Sequence, residues 1–224
     1  MRSLCSCLAS IWLAVAPGAA RACDLALALA VDVSGSVDHQ EYRLQMDGLA
    51  QALRDPVISE ALVRARARLM LVQWTGASRQ RITIPWTAME SFDDVDALAD
   101  RVAADPRIWR NYSTAIGEAL SHTMAAFGQV ADCDRHLIDL SGDGISNEGA
   151  PPAGLHPALR MAGITVNALA IEASEPDLTA YFFENVITGE GAFVVTAADF
   201  RDYPARIRRK LMREVTRASA GLRP

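Results

Sequence analysis

The segment Asp-Leu-Ala-Leu-Ala-Leu-Ala-Val-Asp-Val at residues 24–33 constrains this chain more than any other. A strand with one wetted face alternates apolar and polar side chains, yet every residue from Leu25 to Val31 is apolar. Such a strand is buried on both faces, and belongs inside a mostly parallel sheet covered by helices above and below. The remaining pattern agrees. Residues 38–54 read as a helix, with Tyr42, Met46, Leu49 and Leu53 on one stripe and Asp38 with Glu41 in capping-box register. Residues 68–75 and 80–86 read as two strands joined by the short turn 76–79, a hairpin. Segments 92–104 and 114–127 are helical in pattern, and 136–140 is a strand running into Ser141-Gly142-Asp143-Gly144. A short helix at 152–161, a strand at 164–171, a helix at 176–186 and a last strand at 192–196 follow. Phe200, Tyr203, Ile207, Leu211 and Val215 form the stripe of a closing helix. Alternating strands and helices predict a doubly wound α/β fold: six strands, mostly parallel, one antiparallel hairpin strand at the edge, helices on both faces.

With 224 residues, half of them hydrophobic and 22% charged, the chain suits one domain with a sizeable core. No repeat or linker interrupts it after residue 23. The first 22 residues read as a signal peptide: Arg2, an uncharged apolar stretch from Leu4 to Val15, a break at Pro17 and Gly18, and the small-x-small site Ala20-Arg21-Ala22. The apolar stretch is short beside the ~20 residues of a spanning helix, and Arg21 sits badly before a lipidated cysteine. The chain is therefore expected to be exported to the periplasm or outside the cell, without stable membrane insertion. Net charge is -5, and losing Arg2 and Arg21 makes it 20 - 27 = -7. That excludes nucleic acid as the main partner. Of four cysteines, Cys23 and Cys133 survive processing, which in an oxidising compartment predicts one bridge. Lys210 is the only lysine in the sequence.

In a doubly wound sheet, ligands bind beyond the carboxyl ends of the strands at the switch point. The polar residues gather there. The first strand ends in Asp32-Val33-Ser34-Gly35-Ser36, the helix near residue 114 opens on Ser113-Thr114, and the fourth strand ends at Asp143. Two carboxylates and three hydroxyls are all oxygen donors, a set that suits a small hard cation. Asp32-x-Ser34-x-Ser36, Thr114 and Asp143 in this order resemble the metal-ion-dependent adhesion site of von Willebrand factor A domains. The resemblance spans residues 24–217, is closest to a bacterial branch of exported members, and makes residues 23–224 one such domain with strand order 3-2-1-4-5-6. It implies that Ser34 and Ser36 bind the cation directly, that Thr114 joins when a ligand is engaged, and that Asp32 and Asp143 bind directly or through water. The ion would be Mg²⁺, or Mn²⁺ or Ca²⁺. One departure is that 110–113 lacks the glycine often found before the threonine, so Ser113 competes as the hydroxyl ligand.

The function implied is cation-dependent binding of a protein partner that offers an acidic side chain, with no catalysis. A domain whose metal only steadies its loops is the alternative. A phosphatase of the haloacid-dehalogenase type is the rival enzyme reading, but it wants a second acid where Ser34 stands and a lysine between Asp32 and Asp143, where there is none. The chain also lacks a nucleophile elbow, a phosphate loop and a His-Glu-x-x-His motif. His39, His122, His136 and His156 are scattered, Trp74 and Trp86 read as core, and the basic residues of the last helix, Lys210 included, read as a solvated face. Trp109, Arg110 and Tyr112 precede Thr114 and are types that anchor interfaces, so they are the candidate partner rim. In the implied topology Cys23 and Cys133 start neighbouring parallel strands, within bridging distance.

Overall fold

The computed structural model describes residues 23–173 and 175–219. The expected signal segment lies outside them. Six strands, β1 (Ala26–Asp32), β2 (Arg68–Trp74), β3 (Gln80–Ala88), β4 (His136–Gly142), β5 (Ile164–Ile171) and β6 (Val194–Ala197), form one sheet in the order β3-β2-β1-β4-β5-β6. Every pairing is parallel except β2 with β3. The helices are α1 (His39–Leu53), α2 (Pro56–Arg64), α3 (Phe92–Ala104), α4 (Ile116–Ala126), α5 (His156–Met161), α6 (Leu178–Asn185) and α7 (Tyr203–Ser219). The doubly wound fold and strand order expected from the sequence are those observed.

β1 shows how its sequence builds two layers. Successive side chains of a strand point to opposite faces, so Leu25, Leu27, Leu29 and Val31 enter the core beneath α1, α2, α3 and α7. Ala26, Ala28 and Ala30 face the other way, into the core formed with Ile116, Ala119 and Leu120 of α4 and Phe182 of α6. Each core is a cluster of buried side chains, and burying one such Leu side chain stabilises the fold by roughly 1.5–3 kcal/mol.

The register Val31↔Ser141 brings Asp32 and Asp143 out at the same carboxyl edge of the sheet. At the opposite edge Cys23 and Cys133 face each other across a parallel bridge, with Cα atoms 4.4 Å apart, and form a disulfide. Trp74 is buried as expected, and Trp86 packs edge-on against Phe127. Lys210 departs from the expectation. It does not join the solvated face of α7 but is fully buried against β4, between Asp139 and Glu214.

Candidate metal centre

The site begins where β1 ends. Asp32 is wholly buried, and its Oδ1 accepts the Ser34 N–H at 2.7 Å, which curls the chain back over the strand end. That curl brings Ser34 Oγ within 3.1 Å of Ser36 Oγ, and Ser36 Oγ donates to Asp143 Oδ1 at 2.7 Å. Asp32 Oδ2 has no hydrogen-bond partner among the described residues. It lies 3.0 Å from where a Cβ on Gly142 would stand, so a side chain there would crowd it. Thr114 is buried, and its Oγ1 lies 3.6 Å from the corresponding Cβ position of Gly144. Asp32, Ser34, Ser36 and Asp143 are thus linked directly or in sequence, and Thr114 faces the Asp143 turn. Ser113 is exposed, its carbonyl taken by Thr75 Oγ1 at 2.9 Å, so the structure puts Thr114, not Ser113, toward the turn.

The glycine missing before Thr114 has a substitute. Asn111 adopts φ +57°, a left-handed conformation that asparagine tolerates better than most residues. The turn it makes lets the Tyr112 carbonyl accept the Gly35 N–H at 2.8 Å, tying this loop to the Ser34–Ser36 loop.

Burial, and then the nearby Asp143 carboxylate, push the Asp32 carboxyl well above the usual carboxylate range. Burial raises Asp143 as well. Two carboxylates out of water with an orphaned oxygen carry a desolvation cost that a cation between them would offset. Among the described residues no three His, Cys, Asp or Glu side chains gather as metal ligands, so an ion here rests on hydroxyls beside the two carboxylates. The residues present fit a hard divalent ion.

Three supporting residues escaped the sequence reading. Arg107 Nη2 donates to the carbonyls of Val33 and Ser34, at 3.1 and 2.8 Å, and so clamps the loop from outside. It comes from the irregular stretch between α3 and α4, where no periodicity marks it. Gln45 of α1 donates to the Asp32 carbonyl at 3.3 Å from below. Asn147 Oδ1 accepts the Thr114 N–H at 2.9 Å, and the Thr114 carbonyl accepts the Asn147 N–H at 2.9 Å. A polar residue on the buried stripe of α1 was the one available signal for Gln45.

Around the site, Arg110 is exposed, and Arg79 lies 3.7 Å over the ring of Tyr112, itself exposed. Trp109 is half-buried and packs against the core beneath α1 and α3. Two rim acids are engaged: Glu148 Oε2 accepts the Ala77 N–H and Glu172 Oε1 that of Thr179. His39 and His122 are exposed, His136 packs edge-on against Phe127, and His156 bonds the Asn185 carbonyl.

The chain has the fold of von Willebrand factor A domains, shared with several solved structures. A von Willebrand factor type A protein from Catenulispora acidiphila aligns with TM-score 0.61 at 17% identity, over 88% of this chain and 43% of its own. Proximal thread matrix protein 1 from the mussel byssus, in a structure described as having a zinc-occupied MIDAS motif, aligns with TM-score 0.63 at 19% identity, over 89% and 49%. The vWF domain of a type V pili tip protein from Porphyromonas gingivalis aligns with TM-score 0.63 at 9% identity, over 92% and 98%. The chain thus spans less than half the length of the first two. By sequence it belongs to the family described as "Protein of unknown function (DUF1194)", whose model matches residues 22–219. No curated protein matches the sequence.

Proposed function

We propose that residues 23–224, freed from a signal peptide at 1–22, form a divalent-cation-dependent protein-binding module acting in the periplasm or outside the cell. Asp32, Ser34, Ser36, Thr114 and Asp143 would hold the ion, Mg²⁺ in the first place. The observation that carries this is the buried, unpartnered Oδ2 of Asp32 beside a second buried carboxylate. When bound, the ion supplies a Lewis-acidic position that can take a carboxylate from a partner. The chain's own residues keep that position specific. Arg107 and Gln45 fix the loop, Gly142 leaves Asp32 room, and Arg110 and Arg79 supply positive charge on the rim beside Tyr112. That positive charge suits an acidic partner, and the structural neighbours include a pilus tip protein and a thread matrix protein. Among the described residues no helix is long and apolar enough to cross a membrane.

The test is thermal. A ligand that binds only the folded state stabilises it by about 2.7 kcal/mol at a hundredfold excess over Kd, so Mg²⁺ or Mn²⁺ should raise the melting temperature of the mature protein. Asp32→Ala or Ser34→Ala should abolish the rise; a normal response in Asp32→Ala means the ion sits elsewhere. Partner capture from native periplasm in Mg²⁺ and in chelator then separates binding from loop-steadying. Trp109, Arg110 and Tyr112 are the proposed rim. Because Trp109 also packs on the core, Arg110→Ala is the cleaner probe. It should weaken partner binding at least tenfold, ~1.4 kcal/mol, while leaving the cation-induced melting shift intact. Unchanged affinity would move the interface away from this loop.

A further inference from the structure

Lys210 stands out for where it is and for what it is. The sequence uses arginine at every other basic position, and arginine is the better residue for a buried ion pair because its planar fork is weakly hydrated and bidentate. Yet among the described residues the one fully buried cation is this lysine. Its Nζ lies 2.6 Å from Asp139 Oδ1 of β4 and donates to Glu214 Oε1, one turn along α7, at 2.7 Å. Asn167 of β5 donates its Nδ2 to the same Glu214 oxygen at 2.9 Å and accepts the Phe193 N–H at 3.1 Å through Oδ1, which fixes the carboxyl's orientation. Asp139 Oδ2 and Glu214 Oε2 have no partner among the described residues. Two buried acids and a buried ammonium form an arrangement whose desolvation rivals its Coulomb gain. Burial, then the Asp139 carboxylate, hold Glu214 up at about 8, so at neutral pH it is largely the neutral acid beside a Lys210–Asp139 ion pair.

We propose that Lys210 and Asp139 are joined by an intramolecular isopeptide bond, formed in the folded core with Glu214 as the catalytic proton carrier. The ammonium first passes a proton to the Asp139 carboxylate, leaving an amine and a carboxylic acid. The Nζ lone pair attacks Asp139 Cγ, which lies no more than one C–O bond beyond the oxygen it already touches, near the ~3–3.5 Å of a near-attack geometry. As the N–C bond forms, Glu214 gives its proton to the departing Asp139 hydroxyl and receives one from the nitrogen. One C–O bond breaks and one water leaves. The sum is ammonium plus carboxylate giving amide plus water, with Glu214 restored and no oxidant or cofactor consumed. Three ionisable groups become a neutral amide and a neutral acid. A lysine is required because its amine, once deprotonated, is a nucleophile, whereas a guanidinium stays charged. The bond would tie α7 covalently to β4 at the centre of the sheet.

Two measurements on the mature wild-type protein decide the matter. After reduction its intact mass should fall one water below the sequence value. A lysine-specific endoprotease, having a single lysine to find, should fail to cleave the denatured chain. Full sequence mass with cleavage after Lys210 overturns the proposal, and so does a lost water with cleavage intact, which marks a cyclised aspartate. Glu214→Gln keeps the side-chain shape and should restore both the missing water and the cleavage; a Glu214→Gln protein linked as fully as wild type removes Glu214 from the step. Neither wild-type reading depends on a variant that folds.

Discussion

Asp55 divides its two oxygens between two tasks. Oδ1 accepts the N–H groups of Val57 and Ile58, at 3.0 and 3.3 Å, and so caps α2, while Oδ2 meets the Arg208 guanidinium of α7 at 2.6 Å. Burial alone would raise this carboxyl, but Arg208 and the two N–H groups outweigh it and hold the group below its ordinary value of 3.8. A carboxyl whose folded-state pKa is depressed contributes stability above the unfolded value, and loses it as pH falls through the folded one. Asp55→Asn keeps a capping oxygen and removes the charge. It should melt lower than wild type at pH 7, by the ~0.2–1 kcal/mol of a partly exposed pair, and the difference should shrink to nothing as the pH drops well below 3.8. Melting curves from pH 2 to 7 check this; a gap that persists at the acid end means the cap, not the ion pair, was disturbed. Residues of this kind were only partly legible. Asp32, Ser34, Ser36 and Asp143 announce themselves by clustering at strand ends. Arg107, an arginine in an irregular segment, does not, because only the tertiary path of that segment carries it to the Val33 and Ser34 carbonyls.

Elements were read from periodicity, and where they differ from the reading a tertiary contact is the cause. α4 starts at Ile116 and not at 114, since the Thr114 carbonyl is spent on the Asn147 and Glu148 N–H groups, and Ser146 Oγ, from the loop after β4, accepts the Ile116 N–H. No period marks α2 in the sequence, although Asp55 followed by Pro56 is a helix-start signal. Its nine residues bury only Ile58, Ser59 and Leu62, too short a stripe to register as a period. The close fit of α4 to the loop after β4 makes a prediction at this scale. A Cβ on Gly117 would stand 2.1 Å from the Ala150 carbonyl oxygen, a backbone atom that cannot step aside alone. Gly117→Ala should therefore destabilise the protein by the ~1–3 kcal/mol of an overpacked contact, despite alanine's better helix propensity. Since residues 146–148 hold Thr114, the cation-induced melting shift should shrink with it. A Gly117→Ala protein as stable as wild type would show that loop and helix are not in contact in solution.

The molecule as a whole was legible from β1 outward, because a strand apolar on both faces admits few architectures; the strand order came with the family resemblance. What stayed hidden was the buried charge. On α7 the apolar positions 203, 207, 211 and 215 flank 210 and 214, which share the same helical face, so the burial of Lys210 and Glu214 was available from spacing but masked by the surrounding arginines. The disulfide is the other long-range constraint. Cys23 and Cys133 join the amino ends of β1 and β4, the two central strands whose carboxyl ends carry Asp32 and Asp143, and they enclose 110 residues of sequence separation. Closing so long a loop in the unfolded chain suggests up to ~4–5 kcal/mol of stabilisation on the chain-entropy account. Removing it should act mainly on the unfolded state, since Cys23 is already 1% exposed and held by a backbone bridge to Cys133. The double variant Cys23→Ser/Cys133→Ser should thus keep the fold and the cation response but melt lower, at ~2–4 °C per kcal/mol for a domain of this size, and wild type under reducing conditions should match it. Thiols that label freely in the unfolded, unreduced protein from the periplasm, together with no drop in melting temperature for the double variant, would mean the bridge does not form in the exported chain.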